Sequence, residues 1–273
     1  MKKFKIRHVI QAIFFIVITL FAVNHSLSEA GKAFLPEISL HAICPFGGVE
    51  TFYTLVTLGI LVKKVKTASI VLMVLVFILT LFLGPVFCGW ICPLGSLQEW
   101  IGKLGKKLFK KRYNHMMPVK LDKYLRFLRY FVLIAVIYVT ARSLTLIFAD
   151  YDPYYALFNF WTGEVAITAI IILVVTILLS LIMERPWCKY LCPYGALLGI
   201  FNLFSIFKIH RNETSCISCK KCTKVCPMNI TVDNKKKVTD HQCIRCLECT
   251  SEYACPVDDT LDLKLPGGKK NEN

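Results

Sequence analysis

The sequence predicts an all-α region of four transmembrane helices, built as a duplicated two-span hairpin, followed by a small α+β lobe. Three observations lead there. Of 273 residues, 55% are hydrophobic and 19% charged, with a mean hydropathy of +0.55, a balance unlike that of a soluble globule. Long apolar runs alternate with clusters of Lys and Arg, and a polar, cysteine-rich segment follows the last of them. A net charge of +15 would suit nucleic acid in a soluble chain. Here the cations flank apolar runs, so the positive-inside rule accounts for them and no nucleic-acid partner is expected. Thirteen cysteines exceed what a cytosolic core uses, and the apolar runs exclude a short secreted disulfide scaffold.

The membrane region is expected over residues 1–205. Lys2, Lys3, Lys5 and Arg7 precede the first span, about 9–24, and should stay inside. This stretch also resembles a signal peptide with Ser28-Glu29-Ala30 as a poor cleavage site; a retained helix is the preferred reading. Residues 48–62 are short for a crossing and suit an interfacial helix. The second span covers about 67–86, and the basic stretch from Lys103 to Arg129 then fixes the inner face. Lys63, Lys64 and Lys66 would lie outside, against the usual bias. The third span covers about 124–141, with Arg126 and Arg129 snorkelling at its inner end. Arg142, Asp150 and Asp152 mark the outer side, and the fourth span, about 165–183, returns inside. Both termini are then cytoplasmic. The lobe occupies 206–265, and 266–273 reads as a frayed tail.

The lobe carries the chemistry. Cys216-x2-Cys219-x2-Cys222-x3-Cys226-Pro227 is followed by Cys243-x2-Cys246-x2-Cys249-x5-Cys255-Pro256, one pattern twice within 41 residues. Three cysteines two residues apart supply three corners of a [4Fe-4S] cube from one tight loop, and the fourth comes from elsewhere. In the bacterial two-cluster ferredoxin pattern the Cys before Pro ligates the other cluster. That predicts Cys216, Cys219, Cys222 and Cys255 on one cluster, and Cys243, Cys246, Cys249 and Cys226 on the second. Zinc or disulfides would leave the doubled triplets and both Cys-Pro ends unexplained. Clusters require reduced thiols, which places the lobe in the cytoplasm.

A second repeat lies in the membrane half. Phe87-Cys88-Gly-Trp-Ile-Cys92-Pro93-Leu-Gly95-Ser-Leu97 and Trp187-Cys188-Lys-Tyr-Leu-Cys192-Pro193-Tyr-Gly195-Ala-Leu197 agree at five of eleven positions, 100 residues apart. Each closes a span, so a pseudo-two-fold hairpin pair would bring both together. Cysteines four apart share a helix face. Two readings stand: Cys88, Cys92, Cys188 and Cys192 form a further metal or redox site, or the motif shapes a helix end on which the lobe docks. The remaining cysteine, Cys44, follows His41 by three residues, a spacing open to a metal or haem ligand pair.

The two Cys-x3-Cys-Pro motifs, each closing a span ahead of the eight-cysteine lobe, resemble NapH/NosR/CcoG-type membrane iron–sulfur proteins over roughly Val9 to Leu263. The resemblance implies a four-span protein of the prokaryotic cytoplasmic membrane that passes electrons between a quinol pool or cytoplasmic donors and redox partner proteins. Two departures stand out. NosR-like members carry an extracytoplasmic flavin-binding domain for which this sequence has no room. The second run has five residues before Cys255 where three are usual.

Electron relay through two [4Fe-4S] clusters is therefore the expected function. Lys220, Lys221, Lys224 and Arg245 flank ligands, where their charge would favour the reduced cluster and attract an acidic donor. No carboxylate pair, Ser/His/Asp set or phosphate loop stands out. The enzyme-class alternative is a quinol dehydrogenase-type subunit, with Trp90 and Tyr190 lining a quinone pocket. The other alternative is an assembly or regulatory protein for a redox enzyme.

Overall fold

The computed structural model describes residues 2–29, 67–143, 147–160, 165–257 and 260–265. His41, Cys44, the interfacial helix expected over 48–62 and the tail lie outside the described residues.

Helix α1, Lys2–Glu29, covers the apolar run at 9–24, and helix α2, Thr67–Leu83, covers most of that at 67–86. A five-residue π-helical turn, Phe87–Ile91, leads from α2 through Cys92 into α3, Pro93–Phe109. The expected third span is broken: α4, Val119–Leu125, ends two residues before α5, Leu128–Ser143, begins. The two cations expected to snorkel there turn inward. Arg126 pairs with Asp122 and donates to the Asn229 carbonyl, while Arg129, 2% exposed, donates to the His241 carbonyl at 2.9 Å. Buried ion pairing and carbonyl contacts replace hydration for both.

After α5 a 3₁₀ turn, Ile147–Tyr151, and α6, Pro153–Asn159, fold back onto α7, Ile167–Ser180. The Asp152 side chain caps α6 by accepting from the Tyr154 N–H at 2.9 Å. Two short helices follow, α8, Pro186–Tyr190, and α9, Pro193–Leu203. Among the described residues one stretch, Ile6–Leu27, is long and apolar enough to cross a membrane by itself; Ile70–Leu83 and Ile167–Ser180 are apolar but shorter.

The halves interlock. Helix α3 packs against α7 of the other half, and α9 against α2, so each motif helix rests on the opposite repeat. The two motifs share their backbone geometry. Cys92 N–H donates to Phe87 O and Cys192 N–H to Trp187 O, both at 2.9 Å, and each cysteine is extended before a proline at the first helical position.

The lobe is built on a three-stranded antiparallel sheet, β2-β1-β3, from β1, Lys208–Arg211, β2, Lys237–Val238, and β3, Leu261–Lys264. Ile209, Met228, Ile230, Val232, Val238, Ile244 and Leu261 form its core. It is fastened to the helices by polar contacts: Ile206 and Phe207 N–H groups donate to Leu81 and Phe82 carbonyls at 2.8 and 2.9 Å. Asn202 donates to the Asp240 carbonyl at 2.8 Å, and Asn114 and Asn229 exchange hydrogen bonds.

Candidate metal centre

The second cysteine run forms an enclosed site. Cys226, Cys243, Cys246 and Cys249 line one cavity, walled by Ile209, Met228, Ile230, Val232 and Val238. The fourth cysteine of the first run thus lines the same cavity as the second triplet. Left-handed backbone curls the loop: Arg245 has φ +51° and Leu247 φ +57°, one on each side of Cys246. Ser218, at +53°, and Lys220, at +59°, repeat this around Cys219. Neither pair is glycine, so the tight curl that turns three sulfurs inward carries backbone strain in both runs.

Burial pushes the Cys246 thiol up to about 12, although Arg7 lowers it, and it raises Cys226, Cys243 and Cys249 as well. Deprotonation on ligation is offset by donors and cations. The Ile230 N–H reaches Cys226 Sγ at 3.4 Å, and Arg245, fully buried between two ligands, donates to Asn202 Oδ1 and Ser205 Oγ.

The first run is open. Cys219 is exposed and Cys216 half-buried, with the Ser218 backbone N–H and then Arg211 lowering the Cys216 thiol. Cys222 is buried and Cys255 packs against the same lobe core. Lys220, Lys221 and Lys224 are exposed, so the four cations the sequence grouped together divide: three face solvent and Arg245 does not.

Three of the four repeat cysteines share a cavity. Cys92, Cys188 and Cys192 line one cavity with Phe87, Phe148, Asp152, Tyr154, Trp187 and Tyr194. Cys88 packs against both the lobe core and the core formed by Val76, Leu133, Tyr194, Ala196 and Leu198. Asp152, expected on the far side of the membrane from these motifs, reaches the same cavity because residues 147–159 fold back.

A buried ion network that sequence reasoning missed joins the two sites. Arg185 donates to the Cys88 carbonyl at 2.5 Å and pairs with Glu99 at 2.6 Å; Arg7 pairs with Glu99 and with Glu248 at 3.0 Å, and donates to the Cys246 carbonyl at 3.0 Å. Burial opposes ionisation of Glu99, but Arg185 and Arg7 outweigh it and hold the carboxyl down to about 2. A signal existed: Glu99 is the only acidic residue between Pro93 and Leu121, amid many cations. Arg7, expected as a topogenic surface charge, is buried in this network. Trp90 lies against the lobe, its indole donating to the Arg245 carbonyl at 2.9 Å, while Tyr190 lines a separate apolar cavity.

Family comparisons agree with this duplication. A 4Fe-4S binding domain matches twice, over 65–112 and 165–212, and a 4Fe-4S dicluster domain matches 208–256. YccM of Escherichia coli, provisionally named for electron transport, is 37% identical over 228 residues, 81% of this chain and 62% of YccM. The uncharacterized protein MJ0750 of Methanocaldococcus jannaschii is 33% identical over 216 residues, 79% of this chain and 84% of that protein. The ferredoxin-type protein NapH of Haemophilus influenzae is 30% identical over 119 residues, 44% of this chain and 39% of NapH. The chain belongs to the NapH/NosR-type iron–sulfur proteins. It spans less than two thirds of YccM's length. No solved structure matches it.

Iron–sulfur chemistry fits the donor sets. Among the described residues no three His, Cys, Asp or Glu side chains stand close enough to share one metal ion. The four thiols that line the second-run cavity are the donor type and number that a [4Fe-4S] cube takes.

Proposed function

We propose that this family member is a membrane-bound electron carrier whose cytoplasmic lobe holds two [4Fe-4S] clusters, one on Cys216, Cys219, Cys222 and Cys255, the other on Cys243, Cys246, Cys249 and Cys226. The observation that carries the reading is the crosswise placement of Cys226 with the second triplet, in a cavity that abuts the repeat motifs. When bound, the clusters supply one-electron chemistry. The protein's part is asymmetric. Lys220, Lys221 and Lys224, with exposed Ile217 and Tyr253, present the first set to an acidic cytoplasmic donor. Arg7, Arg245 and the apolar wall keep water from the second set and favour added negative charge there.

The helices provide the membrane side of the path. A cavity of about 680 Å³ between α5 and α7, lined almost wholly by apolar side chains, ends at Trp187, Tyr190 and Leu191, beside Cys188. Its volume and apolar lining support the quinone pool as the membrane-side partner, with a separate redox complex completing the chain.

The full chain, purified anaerobically and reconstituted in liposomes, tests this. Two low-potential cubane signals should appear in electron paramagnetic resonance after dithionite, and a menaquinone analogue should change their oxidation state rapidly. Absence of iron sinks the carrier reading. Intact signals that ignore quinones, with co-purification of an oxidase subunit, would move the protein to an assembly role.

A further inference from the structure

We propose that the outward face of α3 and the adjoining α4 form a surface for anionic phospholipid at the cytoplasmic leaflet. This assignment rests on the membrane-bound reading and adds to it the lipid class that the chain selects.

Helix α3 differs from the spans around it. Helices α2 and α7 carry no charged residue, whereas α3 has distinct sides. One side is packed: Leu94, Gln98, Gly102 and Gly105 are buried, and a Cβ on Gly102 would strike the Tyr113 hydroxyl, one on Gly105 the Leu181 carbonyl. Beside it runs an apolar stripe. Leu97, Ile101, Leu104 and Leu108 recur at intervals of four, three and four residues, which puts them on one face. Leu104 and Leu108 are 55% and 63% exposed, although nothing in a cytosolic setting favours two bare leucines one turn apart. The lysines divide between fold and surface. Lys103 and Lys106 are engaged by His8 and Glu184, each at 3.0 Å, while Lys107, Lys110 and Arg112 are exposed. A helix packed on one side, with an exposed leucine stripe and cations along it, is built to lie in a bilayer interface. Acyl chains take the leucines, and the long cationic side chains reach the headgroups.

The chain keeps this character after the turn. In α4, Lys120 and Lys123 are exposed beside Leu121 and Tyr124. Exposed apolar side chains then continue along α5 at Leu128, Phe131 and Ile134, in the stretch expected to face lipid, so the cationic patch passes directly into an acyl-facing one. Its charge is of one sign. From Lys103 to Tyr130 the sequence has a single carboxylate, Asp122, and that side chain is buried against Lys189 and Arg126. Charge that served only to orient the chain would need no leucine stripe beside it. Lys107, Lys110, Arg112, Lys120 and Lys123 next to exposed apolar side chains instead complement a leaflet that is negative at its headgroups and apolar beneath.

The test is the lipid selectivity of the full chain, purified anaerobically and reconstituted in phosphatidylcholine vesicles with a trace of spin-labelled phosphatidylglycerol or spin-labelled phosphatidylcholine. The motionally restricted fraction of each label reads how much of that lipid sits against the protein. At low salt phosphatidylglycerol should be enriched about threefold or more over phosphatidylcholine, and the excess should shrink as salt rises to about 0.5 M. The combined variant Lys107→Gln, Lys110→Gln, Arg112→Gln, Lys120→Gln and Lys123→Gln should lose the enrichment. Arg at the four lysines should keep it, with the lobe iron signals unchanged in both variants. The wild-type comparison stands however the variants fold. Equal association of the two lipids with the wild-type chain overturns the surface and leaves the carrier reading standing, as does enrichment that survives the five Gln substitutions. A wild-type chain that leaves its native membrane in alkaline carbonate without detergent would instead bring down the membrane-bound reading, and the surface with it.

Discussion

The two cysteine runs of the lobe have nearly the same spacing and the same left-handed curl, yet they occupy opposite environments. The first opens to solvent at Cys219, beside three exposed lysines and an isoleucine and tyrosine that are 62% and 83% exposed at Ile217 and Tyr253. The second is sealed between the sheet and the helices, with Arg7 and Arg245 buried against it and Arg185 behind. One pattern therefore yields an open end and an enclosed end. The difference comes from what each loop is packed on, since local sequence makes the loops alike.

The comparison breaks most completely at the ligands. Cys226→Ser should abolish the signal of the enclosed site and spare the open one, while Cys255→Ser should do the reverse; if each variant removes the signal of its own run, the crosswise pairing is wrong. Next comes the ion network, which touches only the enclosed end. Glu99→Leu removes the carboxylate that Arg185 pairs with and one of the two that Arg7 pairs with, and should cost about 3–5 kcal/mol, read as a lower thermal midpoint in detergent, whereas Lys220→Gln should leave that midpoint unmoved.

Arg245→Gln removes a buried charge beside the second set. At an effective dielectric of about 20, loss of a unit charge beside the cluster is worth on the order of 2 kcal/mol, or on the order of 100 mV for one electron. Potentiometric titration should show that downward shift in the enclosed site and little in the other, with Arg245→Lys restoring the potential. At the open end, replacing Lys220, Lys221 and Lys224 with Gln should leave both potentials nearly unchanged. Reduction by an acidic ferredoxin should slow by up to about tenfold at low salt, a difference that fades above about 0.5 M; a salt-independent effect would remove the steering argument.

The smallest expected effect is on acid stability. The Glu99 carboxyl is held below its ordinary value of 4.5, at about 2. The unfolded chain therefore binds the proton first, so the contribution is complete above about pH 4.5 and drains away as pH falls towards about 2. Wild-type and Glu99→Leu midpoints should converge over that interval. A gap that stays constant with pH would mean the leucine acts through packing alone.

Much of the site was legible before the fold. Cluster ligation needs one residue type at fixed short intervals, so Cys216 to Cys255 announce themselves, and the repeat at Cys88 and Cys188 survives duplication as the same letters. The helix positions were also readable, because apolar runs and proline punctuation act locally. The break between α4 and α5 was not: Arg126 and Arg129 look like snorkelling cations until the lobe offers them carbonyls from Asn229 and His241. Residues 147–159 read as an outer loop, and only packing on α7 carries Asp152 to the cysteine cavity.

By itself the sequence determined the candidate ligand cysteines, the duplication and the helical character, all set by spacing over a few residues. Tertiary structure alone decided which run is enclosed, that Cys92, Cys188 and Cys192 line one cavity, and that Arg7, Glu99, Arg185 and Glu248 form one network. Those outcomes depend on charges and sulfurs meeting across some 240 residues of chain, where the strength of an interaction is set by exclusion of water, a property no linear spacing carries.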